Sequence, residues 1–161
     1  MAGKNSYIGN ADSHAAGVTK EYPVANGVTV TDRDFVFLSS GRVTSASVAG
    51  NALLGMVVGQ QSNNPSNVTD TQTATGDSAG TVKVLVIAEP DAKYVVENDN
   101  VGTTFAASHV GQFADLTGTT GAQLVDTSTF STSSAQLECI GFGYNGDNTL
   151  GVFIIKEHLY K

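Results

Sequence analysis

Apolar residues in this chain alternate with polar ones or gather in short blocks, and no stretch holds a 3.6-residue period for long. Phe35-Val36-Phe37-Leu38 is apolar at every position, which predicts a strand buried on both faces. Thr81-Val82-Lys83-Val84-Leu85-Val86-Ile87-Ala88 is the clearest strand pattern, and Glu89-Pro90-Asp91 stops it. Lys93-Tyr94-Val95-Val96-Glu97 reads as a strand with its two charges on one face. Asn51 to Gly59 reads as a further core strand, in which Gly55 and Gly59 mark a bulge or a close backbone approach. Shorter strands are expected at 22–24, 28–30, 42–44, 113–116 and 123–126, with a helical turn at 106–111. The last two, 136–142 and 149–156, flank Asn145-Gly146-Asp147, a strong hairpin signal. About nine to eleven short strands with regular turn signals predict an all-β fold: a single small β-sandwich or β-barrel domain.

Two stretches break this rhythm. Residues 1–20 are small and polar, with only Tyr7, Ile8 and Val18 as larger apolar groups. They read as an extended N-terminal arm, loose in isolation or ordered by a partner, leaving residues 21–161 as the domain. Residues 60–80 are rich in Gln, Asn and Thr and read as a long surface loop or a ragged hairpin.

Composition sharpens the class. At 161 residues the chain suits one domain and needs no metal or disulfide staple. There are 19 Val and 18 Thr against 5 Glu and 6 Lys, which favours strands over helices. The formal net charge is −7, and Lys and Arg are scattered singly. Direct nucleic-acid binding and attachment to an anionic membrane surface are therefore not expected. Cys139 is the single cysteine, which excludes an intrachain disulfide, and it alternates with Leu137 towards a core face. The first residues lack the apolar stretch of a signal peptide, so synthesis in a reducing cytoplasm is expected.

Several segments imitate catalytic motifs. Gly76-Asp77-Ser78-Ala79-Gly80 matches the nucleophile pattern G-x-S-x-G, but a polar loop precedes it and a strand, not a helix, follows. A tight turn into the strand is the better account. Gly141-Phe142-Gly143-Tyr144-Asn145-Gly146 matches G-x-G-x-x-G, again with no helix to aim at a phosphate. Asn98-Asp99-Asn100 resembles the start of a calcium loop but lacks its terminal carboxylate. His14, His109 and His158 have no ligand spacing, and the sequon Asn67-Val68-Thr69 has meaning only in a secreted eukaryotic protein. No enzyme activity, metal or cofactor is expected.

The order of the strand segments carries a resemblance. Asp34-Phe35-Val36-Phe37-Leu38-Ser39-Ser40-Gly41-Arg42-Val43-Thr44 leads to Leu54-Gly55-Met56-Val57-Val58-Gly59. The run Val82 to Tyr94 follows, then His109-Val110-Gly111-Gln112-Phe113-Ala114-Asp115-Leu116. Over about 34–155, in style, the chain resembles the small all-β capsid decoration (cement) proteins of tailed bacteriophages. The resemblance implies a structural virion protein, made in the bacterial host cytoplasm, that binds the outer surface of the major capsid protein lattice and stabilises the expanded head. It implies a homo-oligomer, with a trimer favoured. The alternative is a receptor- or carbohydrate-binding β module or a head-fibre base. Contact residues are chosen from the arm and its junction: Lys4, Asn5, Tyr7, Ile8 and Tyr22, because long or apolar groups in a polar segment need a reason. The 60–80 loop and the hairpin tip 144–148 are further contact candidates.

Overall fold

The computed structural model describes residues 5–10, 19–46, 50–61, 73–99, 104–133 and 135–159. Among them, fourteen strands follow in chain order. These are β1 (Ser6–Asn10), β2 (Thr19–Pro23), β3 (Thr29–Thr31), β4 (Phe35–Ser39), β5 (Arg42–Ser45), β6 (Gly55–Gln61) and β7 (Thr73–Thr75). Then come β8 (Lys83–Ile87), β9 (Ala92–Glu97), β10 (Phe113–Ala114), β11 (Leu116–Thr119), β12 (Ala122–Val125), β13 (Leu137–Tyr144) and β14 (Asp147–Ile155). Two single 3-10 turns, Ala107–His109 and Thr127–Thr129, complete the regular structure. The protein is all-β.

The strands form two five-stranded antiparallel sheets, ordered β1-β9-β14-β13-β10 and β2-β8-β6-β4-β5, and two ribbons, β3-β7 and β11-β12. Strand alternation decides how the sheets pack. Phe35, Met56 and Ile87 from the second sheet share one buried cluster with Tyr94, Leu137, Cys139, Phe153 and Ile155 from the first. The two sheets therefore meet face to face, as in a sandwich. The intervening residues Val36, Val57, Val84 and Val86 point the other way into a second cluster, joined by Val30 and Ala74 of the β3-β7 ribbon. The second sheet is thus covered on both faces, which is why Phe35-Val36-Phe37-Leu38 has no polar face. Burial of each such side chain contributes roughly 1.5–3 kcal/mol. The second sheet also curls until its edges meet. Val24, just after β2, bridges Val43 of β5 in parallel, and the Ala25 N–H donates to Val43 O at 2.9 Å. The alternation that left sandwich and barrel open is used for both: a nearly closed sheet carries a second sheet on its outside.

The glycines of β6 act as expected. Gly55 has φ +157°, and a Cβ there would stand 1.8 Å from the Ile87 carbonyl oxygen. The β6-β8 register shifts between Val57 and Gly59, so the second glycine marks a bulge. Asn145 and Gly146 both have positive φ, and they turn the β13-β14 hairpin. Two boundaries differ from the sequence reading. Within the described parts of the expected arm, residues 6–10 and 19–20 lie in strands paired to β9 and β8. Short polar strands show little alternation, so their pairing is not visible locally. The expected strand 113–116 is two strands broken at Asp115, whose N–H donates to Thr129 Oγ1 at 2.8 Å.

Candidate functional site

The chosen contact residues fall into different environments. Lys4 lies outside the described residues, as do His14, the sequon and residues 62–72 of the 60–80 loop. Asn5 is turned inward and only 2 % exposed. Its Nδ2 donates to Gln123 O at 2.8 Å, and its Oδ1 accepts the Glu97 N–H at 3.2 Å. A side chain spent this way anchors β1 to the domain and is not presented outward. Tyr7 is half-buried, with its ring 6.0 Å from that of Tyr94. Ile8 is half-buried at the irregularity where the β1-β9 register shifts between Tyr7 and Gly9. Tyr22 packs on the second core cluster, from the opposite sheet. Asn5, Tyr7 and Ile8 thus share one edge of the first sheet, and Tyr22 stands apart from them in the second.

The motif-like segments are built as structure. Arg42 clamps the turn at Ser78, donating from Nη1 to Asp77 O at 2.8 Å and from Nη2 to Ser78 O at 3.0 Å. The Asp77 carboxylate accepts from the Thr81 hydroxyl and the Thr81 N–H, which holds its pKa below the usual carboxylate range. This is an Asx-type turn leading into β8. Residues 141–146 are the end of β13 and its hairpin turn. Asp99 Oδ1 accepts from the N–H and hydroxyl of Thr127, and so ties two loops together. Cys139 is fully buried in the core, and burial pushes its thiol pKa up.

Three buried polar groups went unnoticed in the sequence. Gln123, 1 % exposed, takes the place of a strand neighbour for Phe35. The Phe35 N–H donates to its Oε1 at 2.6 Å, and its Nε2 donates to Phe35 O and Ala46 O. Gln136 accepts the Leu116 N–H and donates to Asn51 O. Asp34 accepts N–H bonds from Thr31 at 2.8 Å and Gly121 at 2.7 Å. Burial, opposed by those two donors and reinforced by Asp32, raises its pKa to about 6. All three serve contacts between segments far apart in sequence, and nothing in the local pattern marks them.

A further feature lies at the end of the first sheet. Phe105 is buried edge-on against Phe153 (5.6 Å between centroids), Phe130 (6.1 Å) and His109 (6.2 Å). His109 stacks on Phe130 at 4.5 Å, and its Nδ1 accepts the Ala106 N–H at 3.1 Å. Gly151 leaves the room this requires: a Cβ there would come within 3.0 Å of both Phe105 and Phe153. The expected helical turn at 106–111 is present as Ala107–His109. That this turn completes an aromatic cluster follows only from the fold. No family model matches this chain, and no curated protein or solved structure is found to be similar to it.

Proposed function

We propose that this chain is a structural protein of a bacteriophage virion, without catalytic activity, that binds the outer surface of the major capsid protein lattice and stabilises the expanded head. The observation that carries the reading is the position of β1. Among the described strands β1 stands at the edge of the first sheet, anchored at Asn5, and it bears two of the residues chosen as contacts, Tyr7 and Ile8. An edge strand offers backbone groups to an extended segment of a partner, and many weak contacts on a lattice add through avidity. The resemblance over about 34–155 to decoration proteins supports the same reading. So does a second sheet buried on both faces, which suits a durable spacer. A carbohydrate-binding module draws less support. Sugars stack on sets of exposed rings, whereas Tyr94 is wholly buried, Tyr7 and Tyr22 pack against the two cores, and Phe142 alone among the described Phe and Tyr rings is substantially exposed.

The test is co-sedimentation with mature, undecorated capsids. Saturable binding at a fixed ratio to the major capsid protein, with capsids that resist heat better when coated, is the expected result. A folded chain that stays in the supernatant at every concentration would refute the proposal and make a glycan screen the next measurement.

A further inference from the structure

We infer that Asn145, at the tip of the β13-β14 hairpin, is a site of spontaneous covalent modification in the folded chain, its side-chain amide converting to aspartate and isoaspartate. The chain has two Asn-Gly pairs, Asn26-Gly27 and Asn145-Gly146. Such a pair is reactive because glycine has no Cβ to keep its backbone nitrogen away from the preceding side chain. The glycine nitrogen attacks the asparagine Cγ, and the new N–Cγ bond closes a five-membered succinimide. The Cγ–Nδ2 bond breaks, and the proton of the attacking N–H leaves with that nitrogen as ammonia. Water then opens the ring at either carbonyl, giving aspartate or isoaspartate.

Both asparagines and both glycines are exposed, so access to water does not separate the two sites. What separates them is how the attacking nitrogen is held. The Gly27 N–H donates to Gly76 O at 3.0 Å, and the Gly76 N–H donates to Val28 O at 2.9 Å. The two backbones lie so close that a Cβ at Gly76 would stand 2.2 Å from Ala25 O. Val24 and Val30, which flank this clasp in sequence, are fully buried in the second core cluster. Freeing the Gly27 nitrogen therefore opens a contact between distant segments together with part of that core. The Gly146 N–H, in contrast, donates to Gly143 O at 2.9 Å, inside its own turn. The β13-β14 register shifts between Phe142 and Tyr144, so Tyr144 with Asp147 is the single rung beyond the irregularity. That rung can open while Cys139, Phe153 and Ile155 stay packed in the core, and such a local opening costs far less than one that reaches the core.

Conversion changes the tip in charge and in shape. Either product sets a new carboxylate near Asp147, whose own carboxylate already accepts the Thr149 N–H at 2.9 Å and its hydroxyl at 2.6 Å. Isoaspartate also sends the main chain through the extra methylene, which lengthens a turn that Asn145 and Gly146 close with φ of +54° and +80°. This inference does not depend on capsid binding and is tested without capsids. The full chain is aged in mildly alkaline buffer, and each site is followed by peptide mass mapping and by the growth of an acidic band on isoelectric focusing. In the folded chain Asn145 should convert roughly ten-fold or more faster than Asn26, and in urea, where neither turn is held, the two rates should converge. Asn145→Gly, which suits the positive φ of the turn, should suppress the early acidic band. Conversion of Asn26 as fast as Asn145 in the folded chain would overturn the inference. So would a folded chain left intact at Asn145 over the time in which the urea-unfolded chain converts at both sites, since the turn would then protect it. An acidic band that grows equally in Asn145→Gly would do the same.

Discussion

At the scale of single residues, the two glycines of β6 separate two demands that look alike in sequence. Gly55 sits where a Cβ would overlap the Ile87 carbonyl, an atom of the paired backbone that cannot step aside. At Gly59 the nearest atom to a Cβ is Leu85 Cδ1 at 3.9 Å, so only its φ of +159° is at issue. Gly55→Ala should therefore cost about 3 kcal/mol or more, by separating β6 from β8, and Gly59→Ala only about 1 kcal/mol. Urea denaturation of the two variants measures the difference. Asp34 gives a pH signature of the same locality. Its folded pKa, about 6, lies above the ordinary 3.8, so the folded protein binds this proton more tightly than the unfolded chain does. Its contribution favours folding below about pH 4 and is lost as the pH rises through about 6, by up to about 3 kcal/mol. Asp34→Asn should remove that decline. Denaturation midpoints of both proteins from pH 4 to pH 7 test it, and parallel curves would assign the trend to other groups.

At the scale of elements, β1 is the strand whose attachment is most easily interrogated. It pairs only with β9 among the described strands, and its register is interrupted at Ile8. The Asn5 side chain ties its start to β12 and β9 at once. Asn5→Ala leaves the Gln123 carbonyl and the Glu97 N–H without that partner, so a loss of about 1–3 kcal/mol is expected. In hydrogen exchange the added opening should concentrate in β1 and in the β9 amides facing it, with β13 and β14 less affected. Uniform loss of protection across both sheets would show instead that β1 unfolds only with the whole domain. The hairpin β13-β14 is the opposite case. Its partners are adjacent in sequence, its turn residues Asn145 and Gly146 adopt the positive φ that the turn requires, and its position was legible from those residues. The strand β1 was not legible, because its partner lies more than eighty residues downstream.

At the scale of the molecule, the two apolar clusters share one sheet. Every residue of β4 is committed to one cluster or the other until Ser39, so the domain is three layers thick at this sheet: the first sheet, the second sheet, and the β3-β7 ribbon. Buried glutamines replace missing strand neighbours where the layers join, at Gln123 beside β4 and at Gln136 beside β11. The exposed ion pairs, Lys83 with Glu21 and Lys156 with Glu138, add little to this.

The amino-acid sequence by itself determined the all-β class, the turns at Asn145-Gly146 and Gly80, the two-sided burial of Phe35 to Leu38, and the inward face of Cys139. These are local properties: alternation names the face a side chain takes, and φ above zero selects glycine or asparagine. Only the tertiary structure decided that β1 belongs to a sheet, that Asn5 points inward, that Gln123, Gln136 and Asp34 are structural, and that Phe105, His109, Phe130 and Phe153 share one end. Each of these depends on which distant strand lies alongside. Alternation says that a face is buried and carries no record of what buries it.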